Sequence, residues 1–230
     1  SCLNAQKAGA WRVELCSALE VGGLTPGSGL IQIASHYITI PIHVLIRPRP
    51  GNFTYSHPEM AVIEREIQNC KVMGVAGVVI GMLDDDREVD TVALKRLVER
   101  ARPMEVTFHR AIDVSNDVMR SLEHIIDAGC DRVLTSGGKL NSVDGLDVLG
   151  KMVKNYGQDI EIMVGKGVNA QNIPLFASVG VTSFHVSGSV RQESAYSSDL
   201  FDMGYNESDL EAIKEAKRVI KALRSGNSPE

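Results

Sequence analysis

The chain has 230 residues and a mass of 25.0 kDa, a size at which one α/β domain spanning residues 1–230 is the default. Its formal net charge of −5 gives no electrostatic case for nucleic acid or an anionic membrane surface as partner, and no apolar run approaches the roughly 18 residues of a membrane span. Hydrophobic residues at 43% and charged residues at 23% allow a full core.

Apolar periodicity and turn residues divide the chain into alternating elements. A helix over 3–9 closes at Gly9, and Arg12-Val-Glu-Leu-Cys16 follows as a strand. A helix over 28–37 precedes the strand that opens after Pro41. The next helix runs from Pro58 to Met73, and Gly77 to Leu83 is a buried strand by its β-branched character. A helix over 89–101 ends before Pro103, and Glu105-Val-Thr-Phe-His-Arg110 is the next strand. Helices over 116–128, 142–156 and 170–178 then alternate with strands over 132–136, 160–164 and 183–187. A final helix over 207–224 carries Leu210, Ile213, Val219 and Leu223 on one face.

Seven strands thus alternate with eight helices, beginning with a helix. Strict alternation implies parallel strands joined by right-handed crossovers, and eight helices match a TIM-type (β/α)8 barrel. The expected fold is an α/β TIM-type barrel lacking its first strand, which would precede Ser1. An open doubly wound sheet is disfavoured because no Gly-x-Gly-x-x-Gly turn occurs.

Side chains alternate between the two faces of a strand. With Val13, Leu15, Ile42, Val44, Ile46, Val106 and Phe108 turned toward the helices, the interior receives Glu14, Cys16, Arg47, His109 and, from the last strand, His185 and Ser187. Most of these are too polar for a hydrocarbon core unless paired or wet, and chemistry in such barrels sits at the C-terminal ends of the strands. His109 and Glu14 are expected to act as acid and base, Arg47 to hold an anion and Asp113 to orient a catalytic group. Arg49 joins Arg47 on the proline-stiffened stretch Arg47-Pro-Arg-Pro-Gly51 as a second guanidinium for a carboxylate or phosphate. The loops Ser136-Gly137-Gly138, Gly165-Lys166-Gly167 and Ser187-Gly-Ser189 offer backbone N–H groups where barrels of this type bind phosphate. Ser136, Gly137, Gly165, Lys166, Gly167 and Ser187 are therefore the expected anion-binding set. The four cysteines Cys2, Cys16, Cys70 and Cys130 form no Cys-x-x-Cys pair, which gives a structural zinc site no support; they are expected as reduced thiols of a cytoplasmic protein.

Arg-Val-Glu-Leu-Cys-Ser at 12–17, Glu-x-Gly-Gly-Leu-Thr-Pro at 20–26, Ile-Arg-Pro-Arg at 46–49, Thr-Phe-His-Arg-Ala at 107–111 and Arg-Val-Leu-Thr-Ser-Gly at 132–137 resemble the copper homeostasis protein CutC family. The resemblance implies a TIM-type barrel, a cytoplasmic location, association into dimers or tetramers, and a role in copper tolerance or trafficking with Cys16 as a copper(I) ligand. Three features depart from the family pattern. The family's opening strand, with an acidic residue and a second thiol, is absent; Pro50 and Asn52 stand where members carry Gly and Asp; and Lys166 stands where members carry a small residue between glycines. Two functions remain open: a copper(I)-binding protein using Cys16, and an enzyme on a small anionic metabolite, phosphorylated metabolites included.

Overall fold

The structure, a computed structural model, describes residues 1–193 and 204–225. Seven strands, β1 (Val13–Leu15), β2 (Ile42–Leu45), β3 (Gly77–Ile80), β4 (Glu105–Phe108), β5 (Arg132–Thr135), β6 (Glu161–Val164) and β7 (Ser183–Phe184), form one sheet in sequence order. Every neighbouring pair is parallel. Helices α1 (Cys2–Ala8), α2 (Ser28–Tyr37), α3 (His57–Val72), α4 (Thr91–Ala101), α5 (Val118–Asp127), α6 (Leu146–Tyr156), α7 (Ile173–Ser178) and α8 (Leu210–Arg224) alternate with them. This is a TIM-type barrel one strand short of eight. Residues Val13, Leu15, Ile42, Val44, Ile46, Val106 and Phe108 all join the continuous apolar layer between strands and helices.

Local chemistry sets the element ends. Helix α3 starts at a capping box in which Ser56 and Glu59 exchange hydrogen bonds, with Pro58 in its first turn. The side chains of Asp90, Asp117 and Asp209 accept backbone N–H groups at the starts of α4, α5 and α8, satisfying donors that a helix leaves unpaired. Because Asp209 caps α8, that helix begins at Leu210 and not at 207. Residues 142–145 form a turn ahead of α6, tied down by the Ser142 hydroxyl donating to the Lys166 carbonyl at 2.8 Å.

The last barrel strand ends at Phe184, short of the expected 187. Gly188 has φ 45° and turns the chain into an antiparallel hairpin of β8 (Ser189–Gln192) and β9 (Tyr205–Ser208). The hairpin docks on α1 through Asn4, which donates to Glu207 at 3.2 Å and to the Ser208 carbonyl at 3.0 Å. Strict alternation gave no sign of it, since β8 and β9 are short, exposed and polar.

The N-terminal half of the barrel interior holds an ion network. Arg132 donates to Thr107 Oγ1 at 3.0 Å and to Glu105 Oε2 at 3.1 Å, and pairs with Glu161 Oε2 at 2.7 Å. Glu161 also accepts from Arg12 and Ser183, each at 2.5 Å. It thereby joins the edge strands β1 and β7 through side chains. His43 completes the layer 3.5 Å from Glu105, in space available because a Cβ at Gly77 would lie 2.7 Å from its ring. Burial, then the Arg132 and Arg12 charges, lowers the His43 pKa from 6.5 to about 4. Burial opposes ionisation of Glu161, but the Arg132 and Ser183 hydrogen bonds outweigh it and hold the carboxyl at about 2.

Both shifts make acid destabilising. Between pH 6.5 and about 4 the unfolded chain protonates at residue 43 while folded His43 does not; below 4.5 the same holds for Glu161 until pH falls to about 2. Stability is expected to decline as pH drops from 6.5, with His43 alone contributing about 3 kcal/mol. Denaturant melts across this range should show the decline, and His43→Gln should flatten its upper part; an unchanged slope in the variant would refute the assignment.

Candidate functional site

At the C-terminal end of the barrel His109 ends β4. Its Nδ1 accepts the Ala111 N–H at 3.1 Å, so the proton of the neutral ring belongs on Nε2. The ring lies against Gly81, where any Cβ would run into the imidazole. It also meets Phe53, with ring centroids 4.9 Å apart and planes tilted by 53°. The residue is 6% exposed. Burial, then the nearby Arg47 charge, pushes its pKa down to about 3, and Nε2 is buried without a hydrogen-bond partner.

Arg47 continues β2 into the loop above. Its Nη1 donates to the carbonyls of Val21 at 3.0 Å and Gly23 at 3.1 Å, and its Nη2 to the carbonyl of Gly51 at 2.9 Å. The guanidinium stacks 5.0 Å from the Phe53 ring centroid, and its Nε is buried and unpaired. Tyr55 lies on the same loop. Burial raises its pKa while the charges of Arg47 and Arg49, and side-chain hydrogen bonding to Arg47, pull it down, so its buried hydroxyl lies beside the Arg47 guanidinium. Arg49 is more fully committed: it pairs with Glu59 and donates to the carbonyls of Pro50, Asn52 and Thr54. The expected arginine fork for an anion is therefore engaged in holding the loop, apart from Arg47 Nε.

Asp113 occupies the centre of another loop. Its carboxylate accepts from Thr135 Oγ1 at 2.6 Å, from Ser136 Oγ at 2.9 Å, from the backbone N–H groups of Ser136 and Gly138 at 3.0 Å, and from Arg110 Nε at 2.8 Å. The Gly137 N–H goes to Thr135 Oγ1 at 2.9 Å. The donors of 136–138 that the sequence offers to an anion thus already surround one, and it is the protein's own carboxylate. Arg110 donates to Ser136 Oγ as well, at 3.1 Å, which places it in this brace.

Glu14 and Cys16 project from β1 and the segment after it. Glu14 Oε2 faces His185 Nδ1 across the sheet edges at 3.6 Å, both side chains partly exposed. This imidazole is inward by parity but was not among the expected site residues. Cys16 is partly buried; burial, then the Glu14 and Cys2 charges, pushes its thiol up to about 11. A Cβ at Gly23 would lie 2.7 Å from Leu45 and 3.7 Å from the Cys16 sulfur. Glycine there, at φ 88°, lets the loop close over the thiol. Among the described residues no group of three or more His, Cys, Asp and Glu side chains is arranged to hold a metal ion. Lys166 is exposed with φ 76° between Gly165 and Gly167, at the rim, and Ser187, expected to point inward, is exposed because the chain has left the barrel strand at Phe184. Among the described residues no helix is long and apolar enough to cross a membrane.

The CutC family profile matches residues 1–190. A CutC family protein of Xanthomonas campestris is 45% identical over 188 residues, covering 81% of this chain and 78% of that protein. One from Photobacterium profundum is 38% identical over 231 residues, covering 96% and 93%. Among solved structures, a CutC protein of Streptococcus agalactiae ascribed to copper homeostasis superposes with a TM-score of 0.72 at 33% identity, over 76% of this chain and 87% of that one. KGPDC from Streptococcus mutans superposes with a TM-score of 0.61 at 13% identity, over 96% and 91%, a likeness of fold alone. By profile, by identity and by structure, this chain belongs to the CutC family.

Proposed function

We propose that the protein serves copper homeostasis in the cytoplasm, holding copper(I) as cargo at Cys16. Membership of a family with a copper homeostasis protein among its solved members supports this reading. The observation that carries it is the placement of the Cys16 thiol, partly exposed at the C-terminal end of the barrel, whereas Cys70 and Cys130 are buried in the apolar layer. Thiolate is a soft ligand that suits copper(I). The Cys2 thiol, close enough to add to the Cys16 shift, is the candidate for a second sulfur ligand. Homo-oligomer formation, as a dimer or tetramer, fits the exposed apolar side chains Leu30, Ile33 and Tyr37 on α2.

A second reading, an enzyme acting on a small anionic metabolite, draws support from a different observation. Arg47 Nε and His109 Nε2 are buried polar atoms without hydrogen-bond partners among the described residues, and such atoms are rare in a part of a protein that only has to be stable. On this reading Glu14, His109 and Arg47 stand at the reacting centre. Asp113 is a positioning residue that holds Ser136 and Gly138, Arg49 stiffens the loop bearing Arg47, and Lys166, between Gly165 and Gly167, supplies the rim cation.

Copper(I) titration against a competing chelator tests the first reading: binding is expected to be submicromolar, lost in Cys16→Ser and retained in Cys70→Ser and Cys130→Ser. Because the thiol proton has to leave, affinity should rise with pH throughout the neutral range. Retention of copper(I) by Cys16→Ser would exclude the assigned ligand. For the second reading, inorganic phosphate is expected to raise the melting temperature of the wild type and not of Lys166→Ala; equal shifts in both would remove Lys166 from the site.

A further inference from the structure

We infer that the basic stripe of α8, with Trp11 beside it, is a docking surface for the headgroup layer of an anionic phospholipid membrane. The inference is independent of both readings of the C-terminal barrel end and concerns a different face of the molecule.

At 3.6 residues per turn, Lys214, Lys217, Arg218, Lys221 and Arg224 fall on one continuous third of the circumference of α8, with no acid among them. The opposite side of the helix is the buried one, through Ala216 and Val219, with Ile220 and Leu223 packed beside them. The stripe borders α1, against which α8 packs. Two contacts fix that border. A Cβ at Gly9 would collide with the Lys217 ammonium group, and the Arg224 guanidinium lies 5.7 Å from the Trp11 ring centroid. Gly9 closes α1 and Trp11 follows two residues later, so the cations of α8 and the indole share one patch.

Lys214 and Arg218, on the far border of the stripe, pair with Glu211 and Glu215 of the same helix. Lys217, Lys221 and Arg224 have no carboxylate partner among the described residues, and neither has Lys7 in the last turn of α1. The formal charge of −5 averages over the whole surface and does not register this concentration. An anionic surface in physiological salt acts over roughly 8 Å, so it meets the face presented to it and not the acids on the other side of the molecule.

Trp11 decides what kind of anion fits. It is 71% exposed, and an indole beside long-stemmed cations is the combination favoured at a membrane–water interface, where ring and charged heads are both satisfied. The stripe runs along the outside of a helix in the outer ring of the barrel, over about 15 Å from Lys214 to Arg224. Such a convex surface encloses no small ion but lies readily on a layer of headgroups. A single-stranded nucleic acid would stack its bases on exposed rings, and Arg224 already stands over the Trp11 ring.

Trp11 is the only tryptophan of the chain, so its fluorescence reports on this patch alone. The full chain is expected to sediment with vesicles of phosphatidylcholine mixed with phosphatidylserine and not with phosphatidylcholine vesicles. Its Trp11 emission should shift to the blue on binding, and added salt should release it. Lys221→Gln, an exposed change expected to leave the melting temperature as it is, should weaken binding about fivefold, and Lys217→Gln combined with it about twenty-fivefold. Absence of vesicle binding, equal binding to both kinds of vesicle, an unshifted Trp11 emission in the bound state, or equal binding by wild type and Lys221→Gln would each overturn the inference. Quenching of Trp11 by oligothymidylate without binding to vesicles would overturn it as well and assign the stripe to single-stranded nucleic acid.

Discussion

The Arg132 guanidinium is the contact on which the barrel's geometry depends. It lies in the interior at 3% exposure, and a charge so placed is tolerable only when paired and hydrogen-bonded. Its partners come from two strands, Glu105 and Thr107 on β4 and Glu161 on β6, which flank its own β5. Glu161 then extends the network to Arg12, just before β1, and to Ser183 on β7. A sheet of parallel strands twists in any case, but this chain of carboxylates and guanidinium groups brings its two edges within side-chain reach. Replacing such a network with apolar side chains is often neutral for stability, so its distinctive effect is geometric: it fixes which residues of β1 meet which of β7.

That geometry has a consequence one layer up. Glu14 lies two residues along the strand from Arg12, and His185 two from Ser183, so each projects on the same face as its neighbour below. Their 3.6 Å approach is the next rung of the same seam. The two ends of the interior nevertheless differ in kind. At the N-terminal end nearly every polar atom is engaged, with Arg132 Nε the exception. At the C-terminal end Arg47 and His109 each keep a buried polar atom unmatched among the described residues. The first arrangement holds a structure together; the second has recognition capacity left over.

Much of this was legible in the chain. Alternation of strand and helix gave the barrel, and two-residue parity correctly turned Arg47 and His109 inward and Val106 and Phe108 outward, because a strand buried on both faces has no other way to sort charge from hydrocarbon. What parity cannot show is whether an inward donor is already engaged. Arg49 and Asp113 read as ligand-binding groups from residue type and position, but their partners are backbone atoms of nearby loops, and loop conformation carries no periodic signal. The β8–β9 hairpin was hidden for the same reason. His185 was readable, being inward by parity on the last strand; its significance came only with the closing of the sheet, which placed Glu14, 171 residues away in sequence, opposite it.

The two functional readings draw on neighbouring but separate parts of the barrel end. Copper(I) at Cys16 would use sulfur on the β1 side under the Gly22–Gly23 loop, where a raised thiol pKa makes binding a proton-releasing event. The anionic-metabolite site would use the nitrogen donors of Arg47 and His109 beside Phe53, which copper(I) has little reason to prefer over sulfur. Arg47 touches both, since its Nη1 holds the carbonyl of Gly23, the residue packed beside the Cys16 sulfur, while its Nε is left without a partner. A change at Cys16 that moves the Gly22–Gly23 loop would therefore be transmitted to Arg47 through those carbonyl hydrogen bonds. The physical link between the sulfur and the anion-binding donors is one guanidinium group, three of whose hydrogen bonds are already fixed by the loops it joins.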